Sequence, residues 1–210
     1  MDKPEYDALV KRLYFPPAKQ PQILTVSPMR YVMIDGQGDP NTSEAFQDAV
    51  AALYSVSYGI KMLPKKGTAP PGYFEYKVSA LEGLWTMPEG EDFDPNDKSR
   101  LIWTLIIMQP PFVTPELFEE VRIAQRDKKK LAALDSVRFE TLDEGLCAQA
   151  LHIGPFDTEP ETFEKLHAFL EQEGYERIEL GHHEIYMSDF RKTAPEKLKT
   201  VLRVRIMEKR

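Results

Sequence analysis

Twice along the chain the pattern runs strand, glycine-rich turn, helix, strand, strand, and few architectures accommodate that order. In the first copy, residues 22–34 read as a strand interrupted at Ser27-Pro28, and Asp35 to Asn41 is dense in turn formers. A helix follows from about Thr42 to about Met62, with Phe46, Ala49, Val50 and Leu53 on one stripe. The prolines and glycines of 63–72 make a long turn, Tyr73 to Met87 reads as a strand, 88–100 as a polar loop, and Leu101 to Met108 as a very apolar strand. In the second copy, Cys147 to Ile153 is the strand and Gly154 to Asp157 the turn. Thr158 and Glu161 have capping-box spacing, and Phe163, Leu166 and Leu170 stripe a helix that ends at Gly174. Strands over Tyr175–Ser188 and Leu198–Met207 complete it. The expectation is an α+β fold of two β-α-β-β units with pseudo-two-fold symmetry, at about 22–110 and 136–207. Thr114-Pro115 opens a linking helix over about 114–130, and residues 1–21 form a leader with a short helix stopped by Phe15-Pro16-Pro17.

Composition removes several functional classes. With 34 acidic against 27 basic residues the net charge is −7, which argues against a chain that mainly binds nucleic acid. The basic run Arg126 to Lys130 falls at a helix C-terminus, where positive charge is favourable without any ligand. One cysteine, Cys147, rules out an intramolecular disulfide and suggests a cytoplasmic setting; in a strand it reads as a small buried hydrophobe. No signal-peptide core and no apolar run of spanning length is present, so neither secretion nor a membrane partner is expected.

Each unit, with a helix on one sheet face, leaves the other face free for a central groove. Strand alternation puts Ile185 and Met187 toward the helices and His182, Glu184 and Tyr186 on the free side. In the last strand Leu198, Leu202, Val204 and Ile206 face the helices, and Lys199, Val201, Arg203 and Arg205 the free side. The same parity assigns Trp103, Leu105, Ile107, Glu75, Lys77 and Trp85 to the free face. An apolar groove with few polar groups suits a small organic molecule.

The motifs Met33-Ile-Asp-Gly-Gln-Gly-Asp-Pro-Asn-Thr42, Leu53 to Lys61, Leu81-Glu-Gly-Leu-Trp85, His152-Ile-Gly-Pro155 and His183-Glu-Ile-Tyr186 together resemble the GyrI-like small-molecule-binding family, from about residue 20 to 207. The resemblance implies two SHS2 (β-α-β-β) units around a groove. It also implies a buried glutamate as the main polar contact, matched by Glu184, and aromatic groove walls, matched best by Trp85. The family includes effector-binding domains of regulators, multidrug binders, and stand-alone cyclopropanoid cyclopropyl hydrolases that add water to a DNA-alkylating ring. Phe156 departs from the tyrosine common in the family after His-Ile-Gly-Pro, and a hydroxyl is lost there. With no DNA-binding segment ahead of the first unit, the chain resembles the stand-alone type.

Glu184 among tryptophans would be poorly solvated. It would serve as counter-ion to an amphipathic, planar or cationic compound, or as general base toward a water that opens a cyclopropane. The structural alternative is a cross-strand pair with Arg203 or Arg205. Tyr186 shares the face of Glu184 and would orient water or ligand as a second catalytic group, while Trp85, Trp103 and Phe156 would line the ligand. His182 and Glu184 share a face, but no third ligand is apparent, so no metal is expected. Gly36-Gln-Gly38 lacks the rest of a dinucleotide fingerprint, and no cofactor is expected.

Overall fold

The structure, a computed structural model, describes residues 1–90 and 97–209. Residues 91–96, within the expected polar loop 88–100, lie outside the described residues. The fold is mixed α+β, and among the described residues there are four α-helices and one large open sheet whose pairings are all antiparallel.

In chain order the elements are α1 (Lys3–Tyr14), β1 (Gln22–Val26), β2 (Met29–Gln37), α2 (Glu44–Lys61), β3 (Glu82–Thr86), β4 (Ile102–Met108), α3 (Pro115–Lys129), β5 (Arg138–Leu142), β6 (Gly145–Ile153), α4 (Glu159–Glu173), β7 (Tyr175–Arg177), β8 (His182–Tyr186) and β9 (Lys199–Glu208). Across the sheet the strands lie β1-β6-β9-β8-β3-β4-β2-β5, with β7 beside β9. Strands from the two halves of the chain meet at β8 and β3, where Glu184 is opposite Gly83.

Pro28 does more than interrupt one strand. It separates β1 from β2, and β1 pairs with β6 while β5, which precedes β6, pairs with β2. Each half therefore lends an edge strand to the other. The expected strand over Tyr73–Met87 is confined to Glu82–Thr86. Residues 73–81 instead pack as irregular chain, with Phe74 and Tyr76 against Tyr6 or Phe112. Glu75 and Lys77 thus belong to no strand face.

Helices α2, α3 and α4 form where periodicity and caps place them. Ser43 Oγ accepts the Phe46 N–H and Thr114 Oγ1 the Leu117 N–H. The expected capping box at α4 is not made. Thr158 donates to the Pro155 carbonyl at 2.8 Å and lies against His152, because that side chain is used to close the Gly154 turn.

Parity within each strand is as expected, but the assignment of faces is corrected by the register. Glu184 pairs with Leu202 and Trp85 with Trp103, so Glu184, Tyr186, Trp85 and Trp103 share the face of Leu202, Val204 and Ile206. That is the face α2 and α4 cover: Phe46 of α2 packs edge-on to Trp103, and Leu166 and Leu170 of α4 pack on Ala148, Ala150, Val204 and Ile206. The core under α4 is separate from the one under α2, and the seam between them runs over β3 and β8.

The opposite face is not free. Helix α1, expected only as part of a leader, buries Tyr6, Leu13 and Tyr14 there. Beneath it lies a charged network. His183 bridges Glu82 and Glu144 at 2.9 Å each, and Arg203 reaches Glu144 Oε2 at 2.8 Å, Gln149 Oε1 at 3.0 Å and the Leu13 carbonyl at 2.8 Å. The Tyr14 hydroxyl donates to Glu82. Burial alone would raise the Glu144 carboxyl, but His183 and Arg203 hold it down to about 2. Burial would likewise depress His183, yet Glu144 and Glu82 lift it to about 9. Two carboxylates and two cations are thus buried with their charges balanced, and α1 is pinned through them.

Candidate functional site

The residues of the candidate site gather along the seam between α2 and α4. Glu184 is 7% exposed, and His182 Nε2 lies 2.8 Å from its Oε1. Trp85 Nε1 donates to the Tyr186 hydroxyl at 2.8 Å, and Tyr186 in turn hydrogen-bonds Glu184. Burial, then Glu184 and Glu159, push the Tyr186 phenol well above its ordinary value, so it remains a neutral donor. Gly83 allows this chain to cross: a Cβ there would stand 2.6 Å from Trp85 Nε1 and 2.9 Å from the Tyr186 oxygen.

Glu159, which sequence reasoning missed, opens α4 and is 7% exposed. Its carboxyl lies within 4.8 Å of that of Glu184, and burial together with that neighbouring charge raises its titration well above the usual carboxylate range. The only signal in the sequence was an acidic residue in a first helical turn, which is ordinary helix chemistry. Glu159, His182 and Glu184 offer donor atoms within 4.8 Å of one another, enough to touch one ion.

Aromatic side chains close the site. Phe156, Tyr186 and Phe190 meet edge to face with centroids 5.9–6.4 Å apart, and Phe163 stands edge-on to His182 at 5.0 Å. Trp85 is stacked beneath Phe46 at 6.1 Å. Trp103 is corrected: it is 1% exposed, lies flat on Gly36 and under Phe46, and is core. Phe190 was not anticipated, because the segment after β8 carries no periodicity that would orient it. The structural alternative for Glu184 is also corrected, since Arg203 pairs with Glu144 on the far face. His183 points away from Glu184, as its parity requires. Cys147 is buried, and burial pushes its thiol up to about 12.

Beside Tyr186, Gln47, Val50 and Tyr54 of α2 face Leu81 and the 188–191 segment across a cavity of about 100 Å³. No helix among the described residues is long and apolar enough to cross a membrane.

Residues 19–207 match the GyrI-like small molecule binding domain. The chain belongs to this family. Solved GyrI-like relatives share the fold closely. A hydrolase from Listeria innocua is 36% identical, with 98% of each chain covered and a TM-score of 0.84. An uncharacterized conserved protein from the same organism is 39% identical over 92% of this chain and 95% of its own, with a TM-score of 0.85. The C-terminal domain of EcmrR, at 11% identity over 93% of this chain and 99% of its own with a TM-score of 0.50, shares the fold alone. No curated protein matches the chain.

Proposed function

We propose that this GyrI-like chain binds amphipathic, planar or cationic organic compounds. The ligand would enter the seam between α2 and α4, with Glu184 as its central polar contact. The observation that carries this is a buried carboxylate set among aromatic rings, with Tyr186, His182 and Glu159 holding it in place. A desolvated carboxylate attracts an organic cation more strongly than one in water, and ring faces add cation–π attraction. The 100 Å³ cavity beside Tyr186 adjoins one of about 430 Å³ that Gln47, Val50, Tyr54, Asp189 and Arg191 also line, room of the size that small organic ligands occupy. The two-unit organisation, residues 22–110 and 136–207 with α3 between, belongs to the same proposal: the seam is the junction of the units.

The test is a fluorescence titration with rhodamine 6G, a planar cation. Wild type binds, and Glu184→Gln binds at least tenfold more weakly; equal affinities would exclude Glu184 as counter-ion.

A second reading is favoured by the hydrolase from Listeria innocua. Glu184 would take a proton from water as the oxygen attacks the strained carbon of a cyclopropane conjugated to a carbonyl; the ring C–C bond breaks, its electrons pass to the carbonyl oxygen, and the resulting enolate takes up the proton that Glu184 received. Here Tyr186 would orient that water. A duocarmycin-like cyclopropane should then yield the ring-opened alcohol by mass spectrometry, and Glu184→Gln should yield none.

A further inference from the structure

Glu184 has a role in both readings, but Glu159 does not. Its side chain is buried, and among the described residues no donor reaches its Oε1. What it does approach is the Glu184 carboxyl, within 4.8 Å, and two buried carboxyl groups that close do not both ionise without a cation beside them. Among the described residues neither group has a lysine or arginine in an ion pair. Lys98, which acts on Glu159 from a distance, is paired with Asp157 at 3.2 Å, and their effects on Glu159 oppose each other. The groups facing the pair are therefore His182 and Tyr186 of β8, with Lys98 and Asp157 farther off.

A buried acidic pair that among the described residues has no lysine or arginine partner and only His182 against Glu184, beside the rings of Trp85, Phe156 and Phe163, is open to a further cation. We propose that an organic cation joins it by exchange: the Glu159–Glu184 pair holds one proton when the groove is empty and releases it when the cation seats beside the two carboxyl groups. This rests on the groove proposed above. The step balances: one O–H bond of the Glu159 carboxyl breaks, its proton goes to solvent, and the cation's charge replaces it. His182 is half-buried and touches Glu184, which gives the proton a route out. A neutral planar ligand has no charge to offer and leaves the proton in place. The raised titration of Glu159, to about 10, fits the empty state and means that exchange occurs across the whole neutral range.

The experiment is isothermal titration of wild type with rhodamine 6G at pH 8.5 in phosphate and in Tris, whose ionisation enthalpies differ. Release of between half and one proton per ligand is expected, with affinity rising severalfold per pH unit from pH 6 to 9. Glu159→Gln imitates the protonated form; it should bind at least threefold more weakly, with no proton released. Binding to wild type without proton release, or equal release by Glu159→Gln, overturns the exchange and leaves the groove standing. No binding to wild type refutes the groove and the exchange together. If Zn²⁺ drives the release and rhodamine 6G does not, the organic cation is the wrong partner. The wild-type pH series decides the matter even if the variant fails to fold.

Discussion

Protonation of His183 should hold a measurable share of this protein's stability, and the sign follows from its burial. The imidazole lies between Glu82 and Glu144, and its folded pKa of about 9 exceeds the ordinary 6.5. A raised folded pKa means that the folded state binds more protons than the unfolded one between those values. The contribution is complete below pH 6.5 and is lost as pH rises through 9. A separation of that size is worth about 3 kcal/mol. In a chain of this length that corresponds to roughly 6–12 °C in Tm. Glu159 would blur the measurement, because its own raised pKa also makes stability fall as pH rises. Urea unfolding should therefore be followed from pH 6 to 9.5 in a Glu159→Gln background, with and without His183→Gln. With His183 present, stability falls by about 3 kcal/mol across that window; with His183→Gln the fall disappears, and stability at pH 6.5 drops by about 3–5 kcal/mol, since two buried carboxylates lose their shared cation. Parallel pH profiles with and without His183 would refute the reasoning.

Three further outcomes are expected. Gly83→Ala places a methyl between Trp85 Nε1 and the Tyr186 oxygen, so rhodamine 6G affinity falls about tenfold for a stability cost of about 1–3 kcal/mol, readable in one titration and one melt. Tyr14→Phe leaves Glu82 without its hydroxyl donor and costs about 1–3 kcal/mol in urea unfolding, with faster amide exchange in α1. Iodoacetamide labels Cys147 at least a hundredfold more slowly in the native protein than in urea, because the thiol is buried and titrates at about 12.

Helix positions were legible because each helix advertises itself locally. Phe46, Ala49, Val50 and Leu53 repeat at the helical period, and Thr114 and Gly174 mark ends by their own chemistry. Glu184 and Tyr186 were legible as a pair because alternation within one strand is also local. Their position relative to the helices was not. In β4, Trp103, Leu105, Ile106, Ile107 and Met108 are all buried, so the strand offers no polar side to orient it. Glu159 was out of reach because its approach to Glu184 depends on how α4 seats on the sheet, and Phe190 because it follows β8 in irregular chain.

From the sequence alone came the element order, the family likeness and the residues Glu184, Tyr186 and Trp85. Each of these depends on side chains a few positions apart. The tertiary structure decided which face Glu184, Tyr186 and Trp85 occupy, that β1 and β5 pair across the halves, and that α1 covers the other face. It also decided that Trp103 is core and that Arg203 serves Glu144. Those outcomes depend on which strands meet. When both faces of a sheet are buried, pairing, and not alternation, determines what each face will touch.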